Sequence, residues 1–131
     1  MRRGDRARLN QTSGDVIDSS IKIHRHFGPG VLESAYETCL AHELTRRGHE
    51  VRTQVLQPIE YEGVVLQGAY RLDMLVDDRI IVELKTVDRI LPIHEAQLLS
   101  YLRLSKRPLG LLINFKTRLL RDGIRRIVNR M

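Results

Sequence analysis

The sequence predicts an α/β fold: a mixed central β-sheet flanked by helices, in the order αα-βββ-α-β. Three observations lead there. Up to Gly48 the apolar residues recur at helical spacing in two segments, divided by Gly28-Pro29-Gly30. From Glu50 to Thr86 the chain alternates or runs apolar over strand lengths, with turn residues between. A helical segment opening on Pro92 then precedes one continuous apolar stretch, Leu109 to Phe115.

Taken in order, residues 1–12 are polar, basic and without apolar periodicity, and are expected as a flexible arm before a single domain over 13–131. Ser13 or Asp15 can cap a first helix reaching Phe27, with Val16, Ile17, Ile21, Ile23 and Phe27 as its stripe. His24 and His26, two apart, point to different sides of that helix and are expected at its surface or boundary. The second helix is expected over Val31 to Arg47, burying Leu32, Ala35, Tyr36, Cys39, Leu40 and Leu44 and closed by Gly48. Glu33 falls in its first turn, where the helix dipole favours an acid whatever its further use. A strand over Glu50–Leu56 is interrupted by Pro58, which suits an edge or a bend. Glu62-Gly63 forms a turn and Gly68 marks a bulge before the strand that carries Asp73. Val87–Leu91 connects to a helix over Pro92–Ser105, whose apolar face is Leu98, Leu99 and Leu102, with His94, Gln97 and Tyr101 beside it. Gly123–Val128 reads as a last strand or a short helix.

The chemically informative stretch is Arg71–Thr86, RLDMLVDDRIIVELKT. Two apolar runs flank the turn Asp77-Asp78-Arg79, and Asp73, Glu83 and Lys85 interrupt them. Glu83 and Lys85 share one face of their strand, while Ile80, Val82 and Leu84 share the other. Register decides whether the two acids meet. A three-residue connection pairs Val76 with Ile80 and sets Asp73 opposite Glu83; a two-residue turn would put them on opposite faces. The three-residue register is expected. Two carboxylates about 5 Å apart repel unless a cation lies between them. A hard divalent ion such as Mg²⁺ prefers such oxygens. The plain alternative is a solvated sheet face with one salt bridge.

Composition narrows the partner. The formal charge is +6 and the pI about 10, and 18 of the 22 basic residues are arginine. Guanidinium suits bidentate phosphate contacts. Basic residues cluster at Arg2, Arg3, Arg6 and Arg8, and at Lys116, Arg118, Arg121, Arg125, Arg126 and Arg130. The balance favours a polyanion, most simply nucleic acid, although arginine also decorates ordinary surfaces. Two Phe, four Tyr and no Trp argue against a stacking platform for single strands. The single cysteine, Cys39, excludes an internal disulfide and a cysteine-based zinc site, and is expected as a buried thiol. The chain has no apolar run of membrane-spanning length and no apolar signal region in MRRGDRARLN, so the cytoplasm is the expected compartment.

Four motifs in order carry a family resemblance. Asp73, Glu83-x-Lys85 resembles the signature of the PD-(D/E)XK nuclease superfamily, with Leu72 in place of the proline. Gly30-Val31-Leu32-Glu33-Ser34-Ala35-Tyr36 resembles the G-x-x-E-x-x-Y of the GxxExxY family within it. Gln97-x-x-x-Tyr101 resembles the element that follows Glu-x-Lys in several nuclease subfamilies. The resemblance covers about Asp15 to Val128 and implies a restriction-endonuclease-like core.

The resemblance implies a metal-dependent nuclease that hydrolyses phosphodiester bonds and leaves a 5′-phosphate, with DNA favoured over RNA. Glu33, Asp73, Glu83 and the Leu84 carbonyl would hold Mg²⁺ or Mn²⁺, and Lys85 would orient or help deprotonate the attacking water. Gln97 would hydrogen-bond Lys85 or a phosphate, and Tyr101 would pack against the site or the backbone of the nucleic acid. The alternative is a binding module for nucleic acid or protein on the same fold, with an unused site; a structural subunit with an acidic partner is a third. A homodimer suits a chain that covers little duplex alone.

Overall fold

The computed structural model describes residues 2–130. The elements are α1 (Arg3–Phe27), α2 (Glu33–Arg46), β1 (Val51–Tyr61), β2 (Val64–Val76), β3 (Ile80–Lys85), α3 (Pro92–Ser105), β4 (Leu109–Asn114) and β5 (Ile124–Val128), with a 3-10 turn over Leu120–Gly123. The sheet order is β1-β2-β3-β4-β5. Neighbours are antiparallel except β3 and β4, which run parallel because α3 crosses between them. The mixed sheet flanked by helices is as expected, and within Gly123–Val128 the residues Ile124–Val128 form an edge strand on β4.

The sheet separates two apolar layers. On one face α1 and α2 pack Val16, Ile23, Tyr36, Leu40 and Leu44 against Val76, Ile80, Val82, Leu84 and Leu111. On the other, α3 packs Leu98 and Leu102 against Leu72, Leu75, Ile81 and Leu112. Contact there is close: a Cβ on Gly110 of β4 would meet three Leu98 side-chain carbons at 2.9 Å. All six residues of β4 are buried, which is why its sequence is continuously apolar rather than alternating. Among the described residues no helix is long and apolar enough to cross a membrane.

Four expectations need correction. The arm expected over residues 1–12 is helix from Arg3 onward, and Met1 lies outside the described residues. Leu9, Thr12, Ser13, Val16, Ser19, Ser20 and Ile23 are buried at helical spacing. That stripe is largely small and polar, so a search for apolar periodicity passes over its first half. Ser13 caps nothing: it lies inside the helix and donates to the Asn10 carbonyl at 3.0 Å. His24, expected near the surface, is buried and donates from Nε2 to the Thr117 carbonyl at 2.8 Å. Cys39, expected as buried, is only partly so. Pro58 lies within β1, at an edge and a bend as expected. The strand is at the sheet edge, and its register against β2 shifts between Gln57 and Ile59, opposite Gly68, so the missing N–H is absorbed in a bulge.

Candidate active site

The β2–β3 hairpin has the three-residue connection. Val76 pairs with Ile80, Leu75 with Ile81 and Met74 with Val82. Asp77 and Asp78 both take left-handed backbone, with φ of 52° and 56°, which aspartate tolerates better than bulkier residues. The ladder ends at Met74–Val82. Beyond it the acids replace the main chain as acceptors. The Asp73 N–H donates to Glu83 Oε2 at 2.8 Å, and the Leu84 N–H donates to Asp73 Oδ2 at 3.0 Å. Each carboxylate is thus fixed by the other's strand. One oxygen of each, Asp73 Oδ1 and Glu83 Oε1, is left unused by these two bonds.

The ladder ends there because the β1–β2 ribbon changes face. On β2, Tyr70 and Leu72 belong to the α3 layer, but Met74 and Val76 belong to the α1–α2 layer. On β1, Val51 packs into the α1–α2 layer, and Val55 and Ile59 into the other. A regular strand would keep these pairs on one side. The switch falls on Gln54 and Asp73, which face each other between the pairs Thr53–Met74 and Val55–Leu72. Gln54 has φ 53°, a left-handed residue inside a strand. Its Nε2 donates to Glu37 Oε1 on α2 at 2.9 Å, and its amide bears on Asp73 as well.

Glu33 arrives from the other side. The Gly28-Pro29-Gly30 loop ends α1, and Tyr36 fixes it: the phenol donates to the Gly28 carbonyl and accepts from the Val31 N–H at 3.2 Å. The Tyr36 ring is fully buried and stacks on Phe115 at 4.3 Å. Tyr36 therefore sets where α2 begins, and the first residue of α2 is Glu33. Glu33 comes close enough to Asp73, Lys85 and the Thr86 amide to feel each of them.

The electrostatics follow from this convergence. Burial pushes the Glu83 carboxyl up to about 8, and the nearby Asp73 charge adds to it; the Asp73 N–H and the Lys85 ammonium pull the other way without prevailing. Asp73 is raised by burial too, eased by the Leu84 N–H and by Lys85. Glu33 is raised by partial burial and then by Asp73. Three acids thus sit together with less positive charge than they need. Among the described residues no three His, Cys, Asp or Glu side chains stand close enough together to hold an ion as they are. The donor set nonetheless has the chemistry of a hard divalent cation's site. It is all oxygen, it lacks compensating charge, and both central acids keep an oxygen clear of the backbone bonds.

The helix α3 adds Tyr101, which stacks on Tyr70 with ring centroids 4.4 Å apart and lies near Glu83 and Asp73. Burial raises the Tyr101 phenol, and the neighbouring Glu83 charge raises it further. Gln97 is exposed one turn earlier on the same helix face, and no Gln97–Lys85 hydrogen bond forms among the described residues. His94 is a cap: its Nδ1 accepts from the Leu91 N–H at 3.0 Å. Glu33, Asp73, Glu83, Lys85 and Tyr101 therefore converge, and Gln97 stands on the rim. Gln54 and Glu37 are the neighbours that sequence reasoning missed. A polar residue in an alternating edge strand carries no signal that its backbone is left-handed.

The sheet, the helix order and this site define a restriction-endonuclease-like fold. A family model described as the PD-(D/E)XK nuclease superfamily matches residues 10–127, and the chain belongs to that superfamily. The chain is also similar to a solved structure described as "Crystal structure of SSO0001", with TM-score 0.53 and 21% identity, over 97% of this chain and 63% of that one. At that identity the likeness is one of fold, and this chain spans less than two thirds of that structure. No curated protein matches the chain.

Proposed function

We propose that the chain is a nuclease of the GxxExxY group, dependent on Mg²⁺ or Mn²⁺ and acting on DNA in preference to RNA. The observation that carries the reading is the reciprocal Asp73–Glu83 arrangement, with Lys85 two residues on from Glu83. Asp73, Glu83 and the Leu84 carbonyl would hold the ion, with Glu33 completing the set from α2. The chemistry that a bound divalent ion supplies is charge neutralisation at the scissile phosphate and a more acidic attacking water. Lys85 orients that water and offsets the charge that develops on the phosphate. Asp73 and Glu83 are held by backbone N–H groups, so their remaining oxygens are presented without a side-chain search. Tyr101, stacked on Tyr70, walls the site on the α3 side, and Gln97 on the rim donates to a substrate phosphate. Arginine-rich surfaces grip the backbone without reading sequence.

A second reading, a non-catalytic binding module, is favoured by one observation: the acids are not gathered to metal-binding distance among the described residues. One experiment separates the two. Plasmid, linear, single-stranded and branched DNA, and RNA, are incubated with Mg²⁺, Mn²⁺ or chelator, beside identically purified Lys85→Ala. The nuclease reading expects cutting only with metal, slowed by about 10²-fold or more in the variant. A wild type that binds DNA but cuts none of these substrates would leave the module.

A further inference from the structure

Where the end of α1 meets the 3-10 turn there is a cleft of about 490 Å³, lined by Arg25, His24, Pro29, Arg118, Leu119 and Arg121, among others. Three guanidiniums converge on it from two elements far apart in sequence: Arg25 from α1, Arg118 and Arg121 from the segment after β4. All three are exposed, and among the described residues none has an acid within 4.0 Å, the separation that defines the nine ion pairs found elsewhere. Part of the floor is apolar, from Ile21, Pro29 and Leu119. The wall is rigid. His24 donates to Thr117, and Thr117 donates from Oγ1 to the Asn114 carbonyl at 3.3 Å.

The cleft adjoins the candidate active site through two short connections. Its Gly28-Pro29 lip is the loop that Tyr36 holds and from which Glu33 departs. Its other lip follows directly from the Asn114–Phe115 corner. There Asn114 pairs with Lys85 across the sheet, the Phe115 N–H donates to the Lys85 carbonyl at 2.9 Å, and Asn114 bonds both main-chain groups of Val87. The cleft and Lys85 thus share one end of the sheet. Arg6, Arg126 and Arg130 line a separate cleft by Leu109, at the opposite end of β4.

We propose that the α1–turn cleft is a phosphate-binding subsite that seats the sugar-phosphate backbone of a nucleic acid strand beside the active site. Guanidiniums take the phosphate oxygens and the apolar floor takes a sugar face. The proposal rests on the nuclease reading for its substrate but not on cleavage, and the test keeps the two apart. Binding of 3′-labelled oligonucleotides is followed by fluorescence anisotropy in chelator, on full-length protein carrying Lys85→Ala, across a salt series. A second protein adds Arg25→Gln, Arg118→Gln and Arg121→Gln; a third adds Arg6→Gln, Arg126→Gln and Arg130→Gln instead, with the same change in charge. The first triple is expected to weaken binding by about tenfold or more near physiological salt and to reduce the slope of log K against log salt by about two to three, while the second does markedly less. Equal losses in both triples, or an unchanged slope in the first, would overturn the subsite. Oligonucleotides with a 5′-phosphate or a 5′-hydroxyl distinguish the source. A preference for the phosphate that the first triple removes assigns a strand end, and equal affinity assigns internal backbone. Poly-glutamate bound as tightly as the oligonucleotide, and lost in the same triple, would make the cleft an acidic-protein site and overturn the proposal. Cleavage by wild-type protein with unchanged binding in the first triple would sink this inference alone.

Discussion

Asp73 and Asp77 are four residues apart on one hairpin, and each is the centre of an acidic cluster. Around Asp77 the charges are matched. His49 lies between two carboxylates, with Nδ1 at 2.7 Å from Asp77 Oδ2 and Nε2 at 2.7 Å from Asp15 Oδ2. An ionised carboxylate cannot donate, so both ring nitrogens donate and His49 is the imidazolium. Asp77 also accepts from the Glu50 N–H at 2.9 Å, which ties α1, the α2–β1 loop and the β2–β3 turn together. Around Asp73 the charges are not matched. Glu33 and Glu83 crowd it, and Lys85 does not restore balance. The paired cluster has the character of a structural clamp. The unpaired one is kept against stability, the usual mark of a site whose missing partner is a ligand.

The largest expected effects come from neutralising each cluster. Asp73→Asn and Glu83→Gln retain an oxygen that can accept the backbone N–H but remove a buried acid; the charge on Glu83 develops as pH rises through about 8. Both should abolish cleavage, and both should raise the melting temperature of the protein in chelator. Asp77→Asn and Asp15→Asn should do the reverse, lowering stability by about 1–3 kcal/mol through the stranded imidazolium and leaving metal-dependent cutting in place. Thermal melts in chelator beside cleavage assays read both at once. A Glu83→Gln protein that melts as early as Asp77→Asn would erase the distinction between the clusters.

A smaller effect is expected from pH in the clamp. Burial opposes charge on His49, but the bonds to Asp77 and Asp15 outweigh it and hold its pKa above the usual 6.5. A folded value above the unfolded one means the clamp's contribution is complete below the unfolded pKa and fades as pH rises through the folded pKa. Melts of the wild type and His49→Gln between about pH 6 and about pH 9 should therefore converge towards the alkaline end. A gap that widens with pH would show His49 to be held neutral.

Most of the fold was legible because its cues are local. Pro92 opens α3, Glu62-Gly63 turns β1 into β2, and LGLLINF could hardly be anything but a buried strand. The acids were legible because charge inside apolar runs is conspicuous, and the hairpin register followed from the length of its turn. What escaped depended on partners distant in sequence. The first half of α1 is helical because Leu9, Thr12 and Ser13 find a surface to pack on, not because its own pattern is amphipathic. His49 lies 34 residues from Asp15 and 28 from Asp77, and nothing around it marks a clamp. Tyr36 was visible as part of a motif, but its work is to hold a loop rather than to touch substrate.

Gln54 gives the smallest and most selective test, because it asks how the unpaired cluster is kept open. Its left-handed backbone is where the β1–β2 ribbon changes face, and that change is what frees Asp73 from the regular ladder. Gln54→Gly and Gln54→Ala both delete the bond to Glu37, but only alanine keeps the Cβ that opposes positive φ. The glycine variant should therefore be the more stable of the two by about 1 kcal/mol, measured by denaturant melts. Both should slow cleavage by about tenfold or less, since Asp73 remains but loses a neighbour that positions it. Alanine matching glycine in stability would mean that the strand relaxes to ordinary backbone at position 54. If that relaxed alanine variant still cut normally, the face change would be incidental to the site, and the openness of Asp73 would have to come from Glu83 alone.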